Sequence, residues 1–489
     1  MTIHHSGFGR HRKIARFAVL LLTVSLTGCA GFGQISPQLT SRPESKAPAL
    51  PAAAQREHER ILAAYGGAYD DPRLQALIQD TVSRLVAASD RPDLQYRVTL
   101  LNSPSVNAFA LPSGQLYVTR GLAALANDRS ELASVLSHEM AHVIAKHAAI
   151  RENQARRVAL IEDVVNKLLT DPQSGALALA KSKMALASFS RQQEFEADAI
   201  GVKIAARAGF DPYGAERFLE AMGANSNLYR GTTTDEDPFT AEFLSSHPST
   251  PDRVSNAIAQ ARQIGAPGIG ERDRAAYLAS IDGLAYGENP ADGVVRGRRY
   301  LHPKLGFTFV APAGFQLDNT AQAVIGMKEG KQALRLDTVQ VPASEKLTDY
   351  LISGWIENVD KNSLRELTIN GLKAATATAQ GEEWFFRLYA VRFGSDVYRF
   401  VYAAKAKSAE ADRAFRESAS SFRRLTLSEI NNVKPLHIQI VTVKAGETAQ
   451  QLAARMTMVD HSLQRFLVLN GLAAGDKLQP GEQVKIVAE

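Results

Sequence analysis

In the first half of the chain apolar side chains recur at the 3.6-residue period of an amphipathic helix, and the pattern predicts helices near 57–64, 73–88, 131–150, 156–169, 191–207, 212–224 and 251–263. Two of these carry start signals. Asp211-Pro212 and Thr250-Pro251 each set a capping side chain ahead of a proline suited to the first turn. From about residue 299 the periodicity changes, and 307–310, 333–339, 384–391 and 397–402 read as strands. Gly394-Ser395-Asp396 turns the last pair into a hairpin, and a helix from Ser408, an N-cap, to Phe422 completes an α+β unit. No stretch reaches the roughly 18 uninterrupted apolar residues of a membrane span. The run at 17–22 is too short, and Lys181 and Lys183 break the one at 176–187.

Composition adds organisation more than chemistry. A chain of 489 residues is too long for one core, and 45% hydrophobic with 22% charged residues is the balance of folded domains. The net charge of +5 is mild and lies partly in the N-terminal segment. There is no basic patch interleaved with aromatics, no phosphate-binding glycine loop and no helical repeat array, so no nucleic-acid partner is expected.

The N-terminus reads as a targeting segment. Arg10, Arg12, Lys13 and Arg16 precede the apolar run, which ends in Leu26-Thr27-Gly28-Cys29. Cys29 is the single cysteine, so no internal disulfide is available to it. The pattern resembles the lipobox of bacterial lipoprotein signal peptides, which implies cleavage before Cys29 and a lipid on that residue as the membrane anchor. Ala30 stands where an aspartate would resemble an inner-membrane retention signal, which points to the periplasmic face of the outer membrane. The expected division is a signal peptide at 1–28, then a lipidated cysteine and a flexible tether at 29–54, marked by Pro37, Pro43, Pro48 and Pro51.

The candidate chemistry lies in His138-Glu139-Met140-Ala141-His142. Side chains four apart share a helix face, so His138 and His142 can reach one zinc ion, and Glu139 sits where it can take a proton from the water that the zinc activates. A third protein ligand is needed. His147 lies five residues past His142, off that face, and Ala145 and Ala148 stand where a metzincin would have Gly and His. The better candidates lie in Arg191-Gln192-Gln193-Glu194-Phe195-Glu196-Ala197-Asp198, where Glu194 and Asp198 share one face, Glu194 as a ligand and Asp198 as the acceptor that orients a ligand histidine. Glu196 falls on another face and is expected to be solvated. The intervening 151–190 reads as a lid or a helical hairpin.

With Asn107-Ala108-Phe109-Ala110-Leu111-Pro112 ahead of the motif and Ser246-His247-Pro248 behind it, residues 57–262 resemble the HtpX-like gluzincin peptidases, relatives of the CAAX prenyl protease and of periplasmic quality-control proteases. The resemblance implies a mainly α-helical peptidase domain at 55–290 with one zinc per chain, held by His138, His142 and Glu194. It also implies that Ala108, Phe109 and Ala110 form an edge strand that binds substrate backbone. His247 falls in the family's H-P-x-T-x-x-R pattern near the zinc, and two roles are open to it: donor to the oxyanion, or fourth zinc ligand holding the enzyme latent. Arg253, in the same pattern, is a candidate for substrate or transition-state contact.

Two further resemblances complete the multidomain picture. The opening of 299–427, an α+β unit, is weakly similar to PsbP/Mog-like domains. Residues 434–489 resemble a βααβ LysM module, which implies peptidoglycan binding through loops around Gly446 and Gly475 to Gln479. The expected function is a lipid-anchored zinc endopeptidase acting on misfolded or stalled envelope proteins. Its alternative is a chaperone-like assembly factor for outer-membrane proteins with latent proteolysis. A peptidoglycan hydrolase fits less well, because the metal spacing is that of protein peptidases.

Overall fold

Side-chain caps set where the helices begin. Asp71 accepts from the backbone N–H of Arg73 and Leu74, Asp128 from Glu131, Ser190 from Gln193 and Thr250 from Arg253. The computed structural model describes residues 51–150, 189–230, 247, 250–320, 323–328, 331–381, 384–405, 407–457 and 461–489. The targeting segment with Cys29, the tether up to residue 50, the helix expected at 156–169 and nearly all of 151–190 lie outside them.

The first region runs α1 (Ala52–Ala64), α2 (Pro72–Ala88), β1 (Arg97–Leu101), β2 (Ala108–Ala110), β3 (Gln115–Thr119), α3 (Arg120–Leu125), α4 (Arg129–Ile144), α5 (Arg191–Arg207), α6 (Gly214–Arg230), α7 (Pro251–Ile264), α8 (Arg274–Ile281) and β4 (Ala285–Tyr286). Helices dominate here, around a small sheet of order β1-β3-β2 in which β1 and β3 are parallel and β2 is an antiparallel edge. Helix α4 is buried all round from Arg129 to His142, so it is a core helix and not a surface one.

The second region is built of strands: β5 (Val294–Arg296), β6 (Arg299–His302), β7 (Phe307–Val310), β8 (Gln316–Asn319), β9 (Val324–Lys328), β10 (Gln332–Gln340), α9 (Leu347–Leu351), β11 (Val359–Ile369), β12 (Leu372–Gln380), β13 (Phe385–Phe393), β14 (Asp396–Ala404), α10 (Ala409–Ser420), β15 (Arg423–Arg424) and α11 (Leu427–Asn432). A seven-stranded antiparallel sheet has the order β11-β12-β13-β14-β10-β9-β8, and a smaller one the order β15-β7-β6-β5. Phe309, Phe400, Tyr402, Phe415 and Phe422 fill the core between them and α10.

The last region, β16 (Leu436–Thr442), α12 (Ala449–Ala453), α13 (Ser462–Asn470) and β17 (Gln483–Ala488), has the expected βααβ order. Strand β4 of the first region pairs antiparallel with β16. One apolar cluster runs from Leu74 to Val487, so the first and last regions share a core.

Candidate active site

Helices α4 and α5 cross closely because Gly201 presents no side chain. A Cβ there would lie 3.0 Å from the backbone N of His138 and 3.2 Å from its Cα. The crossing turns His138 and His142 toward Glu194, and the loop before α7 brings in His247. All four residues are buried, and one ligand atom from each lies within 4.8 Å of the others. His138 Nε2 is 3.0 Å from His142 Nε2 and 3.3 Å from His247 Nδ1. Glu194 Oε1 is 3.0 Å from His247 Nδ1 and 3.5 Å from His142 Nε2, and Glu194 Oε2 is 3.6 Å from His138 Nε2. Four tetrahedral ligands at zinc bond lengths stand about 3.3 Å apart, so three imidazole nitrogens and a carboxylate at these separations fit zinc.

The groups behind these ligands are as ordered as the ligands themselves. Asp198 Oδ1 lies 2.9 Å from His138 Nδ1. Arg253, in the first turn of α7, donates from Nε to Asp198 Oδ2 at 2.8 Å and from Nη2 to Oδ1 at 2.7 Å, while its Nη1 stands 2.8 Å from Glu194 Oε2. A single guanidinium thus clamps the ligand carboxylate to the orienting one. Burial alone would raise the carboxyls of Glu194 and Asp198. For Glu194, hydrogen bonds with His138 and His247 hold it below the usual carboxylate range, and for Asp198 those with Arg253 and His138 do so.

His142 is oriented from a side that spacing did not suggest. The helix expected to run to residue 150 ends at Ile144, and Lys146 takes a left-handed φ of 57°. After this two-residue break helical backbone resumes at His147, and buried His147 places Nδ1 3.0 Å from His142 Nδ1. His147 Nε2 is 3.4 Å from Oε2 of Glu196, which is exposed on another face of α5 than Glu194 and Asp198. Arg253 and His147 are thus the orienting groups that sequence reasoning missed, since Arg253 was read as a substrate or transition-state contact. The ring of Phe189, also missed, lies 4.0 Å from that of His142 and 5.3 Å from that of His247. The signal for His147 was a third histidine just beyond the motif, with no cue to the helix break at Lys146.

Glu139 is buried, and its Oε1 has no hydrogen-bond partner among the described residues; His247 Nε2 stands 3.8 Å away. Burial raises its carboxyl above the usual range, which favours a proton acceptor working near neutrality. Beside it runs β2, and Ala108, Phe109 and Ala110 form the sheet edge. Gly446, Gly475 and Gln479 are exposed in loops of the last region, remote in sequence from the metal residues.

Residues 72–261 match the model of peptidase family M48, and residues 441–487 match that of the LysM domain. The stretch similar to family M48 contains His138, Glu139, His142, Glu194 and His247. This M48 region is 32% identical over 203 residues to the beta-barrel assembly-enhancing protease of Yersinia pestis and 30% identical over 204 residues to that of Escherichia coli K12. It is 30% identical over 206 residues to the mitochondrial metalloendopeptidase OMA1 of Schizosaccharomyces pombe. These matches cover 40%, 40% and 41% of this chain, and 40%, 40% and 58% of the relatives. The chain thus spans about two fifths of the length of the first two. M48 peptidases depend on zinc, in accord with the donor set around His138. A PsbP of Synechocystis aligns with 28% of the chain and 98% of its own length at 16% identity, but its TM-score of 0.22 carries no argument about residues 299–427.

Proposed function

We propose that this protein is a lipid-anchored zinc endopeptidase that hydrolyses peptide bonds of misfolded or stalled envelope proteins at the periplasmic face of the outer membrane. The observation that carries the reading is the buried quartet of His138, His142, Glu194 and His247 with Glu139 beside it. The similarity to beta-barrel assembly-enhancing proteases supports the envelope as the place of work. Cys29 supplies the anchor, and the exposed loops at Gly446 and Gly475 to Gln479 support peptidoglycan as a second attachment.

His138, His142 and Glu194 are the resident ligands, and Asp198, Arg253 and His147 fix their orientation. Zinc, when bound, supplies a Lewis acid that polarises the scissile carbonyl and acidifies a water molecule. Substrate backbone adds to the free edge of β2, which brings a peptide past Glu139. Glu139 takes the proton of the attacking water and returns it to the leaving amine.

His247 turns Nδ1 into the quartet, and that orientation favours the latching role over the oxyanion role. With four protein donors a zinc site is closed, so His247 must withdraw before water and substrate are admitted beside Glu139. The same observation favours the second reading, a chaperone-like assembly factor whose proteolysis is latent.

The test is casein cleavage by zinc-loaded protein beside Glu139→Gln and His247→Ala, with zinc content measured in each. Glu139→Gln is expected to keep its zinc and to lose activity by roughly a hundred- to ten-thousand-fold. Gain of activity in His247→Ala identifies the latch. Silence of all three despite bound zinc would move the assignment to the assembly factor.

A further inference from the structure

We infer that α1 forms the substrate-selecting wall of the cleft and, with the floor under β2, builds a subsite for a large apolar side chain next to the scissile bond. The inference rests on the peptidase reading above. A cavity of about 830 Å³ opens onto Glu139, His142 and His247 and extends away from them under β2. Its apolar walls are Ile61 and Tyr65 from α1 and the turn after it, Leu94, Phe109 and Leu111 from the sheet side, and Val143 from α4. The volume falls in the range of pockets that enclose a ligand, with room for a bulky side chain and part of its backbone.

The charged groups at the cavity do not change its character. Arg91 is held by Asp93, with Nε to Oδ1 at 2.8 Å and Nη2 to Oδ2 at 2.6 Å. Glu57 and Lys146 are exposed and reach solvent. The buried carboxylate at the cavity, Glu139, lies where it opens onto the metal quartet, so away from that mouth, against Ile61, Tyr65, Leu94 and Phe109, an apolar guest gains from leaving water.

Helix α1 is held by the sheet and not by caps of its own. Its N-cap, Pro51, offers no side-chain cap, and a helix of 13 residues is marginal alone. It is held by the sheet: Gln115 Nε2 donates to the Ala54 carbonyl at 3.3 Å, His58 Nδ1 lies 2.9 Å from Tyr117 Oη, and Asn107 Nδ2 donates to Tyr65 Oη at 3.1 Å. Ile61 packs with Leu101 and Tyr117, and the ring of Tyr65 lies 5.7 Å from that of Phe109. The strand that offers its edge to substrate and the helix that walls the subsite are therefore one unit. Residues 52–65 precede the M48 match, which begins at residue 72.

The experiment uses the full zinc-loaded chain. Casein fragments are mapped by mass spectrometry, and peptides spanning the preferred site are made with Phe or Ala at the residue on either side of the cut. At one of the two positions kcat/KM for Phe is expected to exceed that for Ala by roughly 30-fold, the factor for burying a large apolar side chain. Ile61→Phe, which fills the subsite, should lower cleavage of the Phe peptide about tenfold and that of the Ala peptide less than twofold. Ile61→Ala should change the ratio severalfold. A ratio near one in the wild type, or one that neither substitution changes, overturns the inference. If no peptide is cleaved, fluorescence anisotropy with Glu139→Gln separates the two claims: tighter binding of the Phe peptide, weakened by Ile61→Phe, keeps the subsite while the peptidase reading falls, and equal binding of both peptides removes the subsite.

Discussion

At the scale of single residues the site depends on one cation. Arg253 is buried and bonded to both Glu194 and Asp198, so removing it leaves two buried carboxylates without their shared partner. Arg253→Lys keeps the charge but loses the fork that spans both carboxylates. It is expected to weaken zinc binding by about 10- to 100-fold, measured by competition with a chromogenic chelator, with activity recovering in excess zinc. A zinc affinity equal to wild type would show that the clamp is dispensable. His147→Phe retains bulk but loses the contact with His142 Nδ1, and a drop in zinc affinity of about tenfold is expected in the same assay. Gly201 carries a related prediction. Gly201→Val forces α5 off the backbone of His138, so a lower melting temperature together with loss of bound zinc is expected, read by calorimetry and metal analysis.

At the scale of elements, what was legible in the sequence was local, and what was missed was set by distant parts of the chain. The metal helix was readable because His138 and His142 obey helical spacing, while its start at Arg129 under the Asp128 cap, two residues ahead of the expected one, went unread. Its end was not, because a left-handed Lys146 has no cue of the kind glycine gives. Glu194 and Asp198 were legible from their i, i+4 spacing, whereas the place of Arg253 between them depends on how α7 packs on α5. In the strand-rich region β7, β10, β13 and β14 were legible. The β11–β12 hairpin was overlooked despite Asn370-Gly371, both with positive φ as a tight turn requires, because β11 lies at the sheet edge with many exposed positions and gives no clear apolar alternation. The connection between regions holds Glu288, whose Oε2 accepts from the Val295 N–H while Oε1 has no partner among the described residues. Burial pushes its carboxyl up to about 7 from an ordinary 4.5. The folded chain therefore keeps a proton that the unfolded chain releases above 4.5, and stability falls as pH rises from there to about 7, by on the order of 3 kcal/mol. Glu288→Gln is expected to remove that slope, so that the difference in melting temperature between variant and wild type grows in favour of the variant from pH 5 to pH 8. A constant difference over that range would show that Glu288 does not titrate there.

At the scale of the whole molecule, the LysM region belongs to the core of the peptidase. Strand β17 is buried at four consecutive positions, Val484 to Val487, as a strand covered on both faces must be. Lys485 is fully buried, and its Nζ donates to the carbonyls of Ala124 at 2.8 Å, Leu125 at 3.0 Å and Ala126 at 2.8 Å. These carbonyls belong to the end of α3, two residues before the N-cap of the metal helix, so the last strand of the chain pins the start of α4. Backbone bonds between Ile438 and both Gly283 and Leu284 reinforce the seam. Lys485→Met keeps the length of the side chain but leaves the three carbonyls without their donor, and a loss of about 3 kcal/mol is expected. Because the seam lies in the shared cluster, calorimetry should show the M48 and LysM regions melting in one transition that moves as a whole in Lys485→Met, with zinc released in the same step. Two transitions, with zinc release tied to the one that Lys485→Met leaves in place, would mean that the LysM region hangs from the peptidase as an independent module and that the pinning of α4 contributes nothing to the metal site.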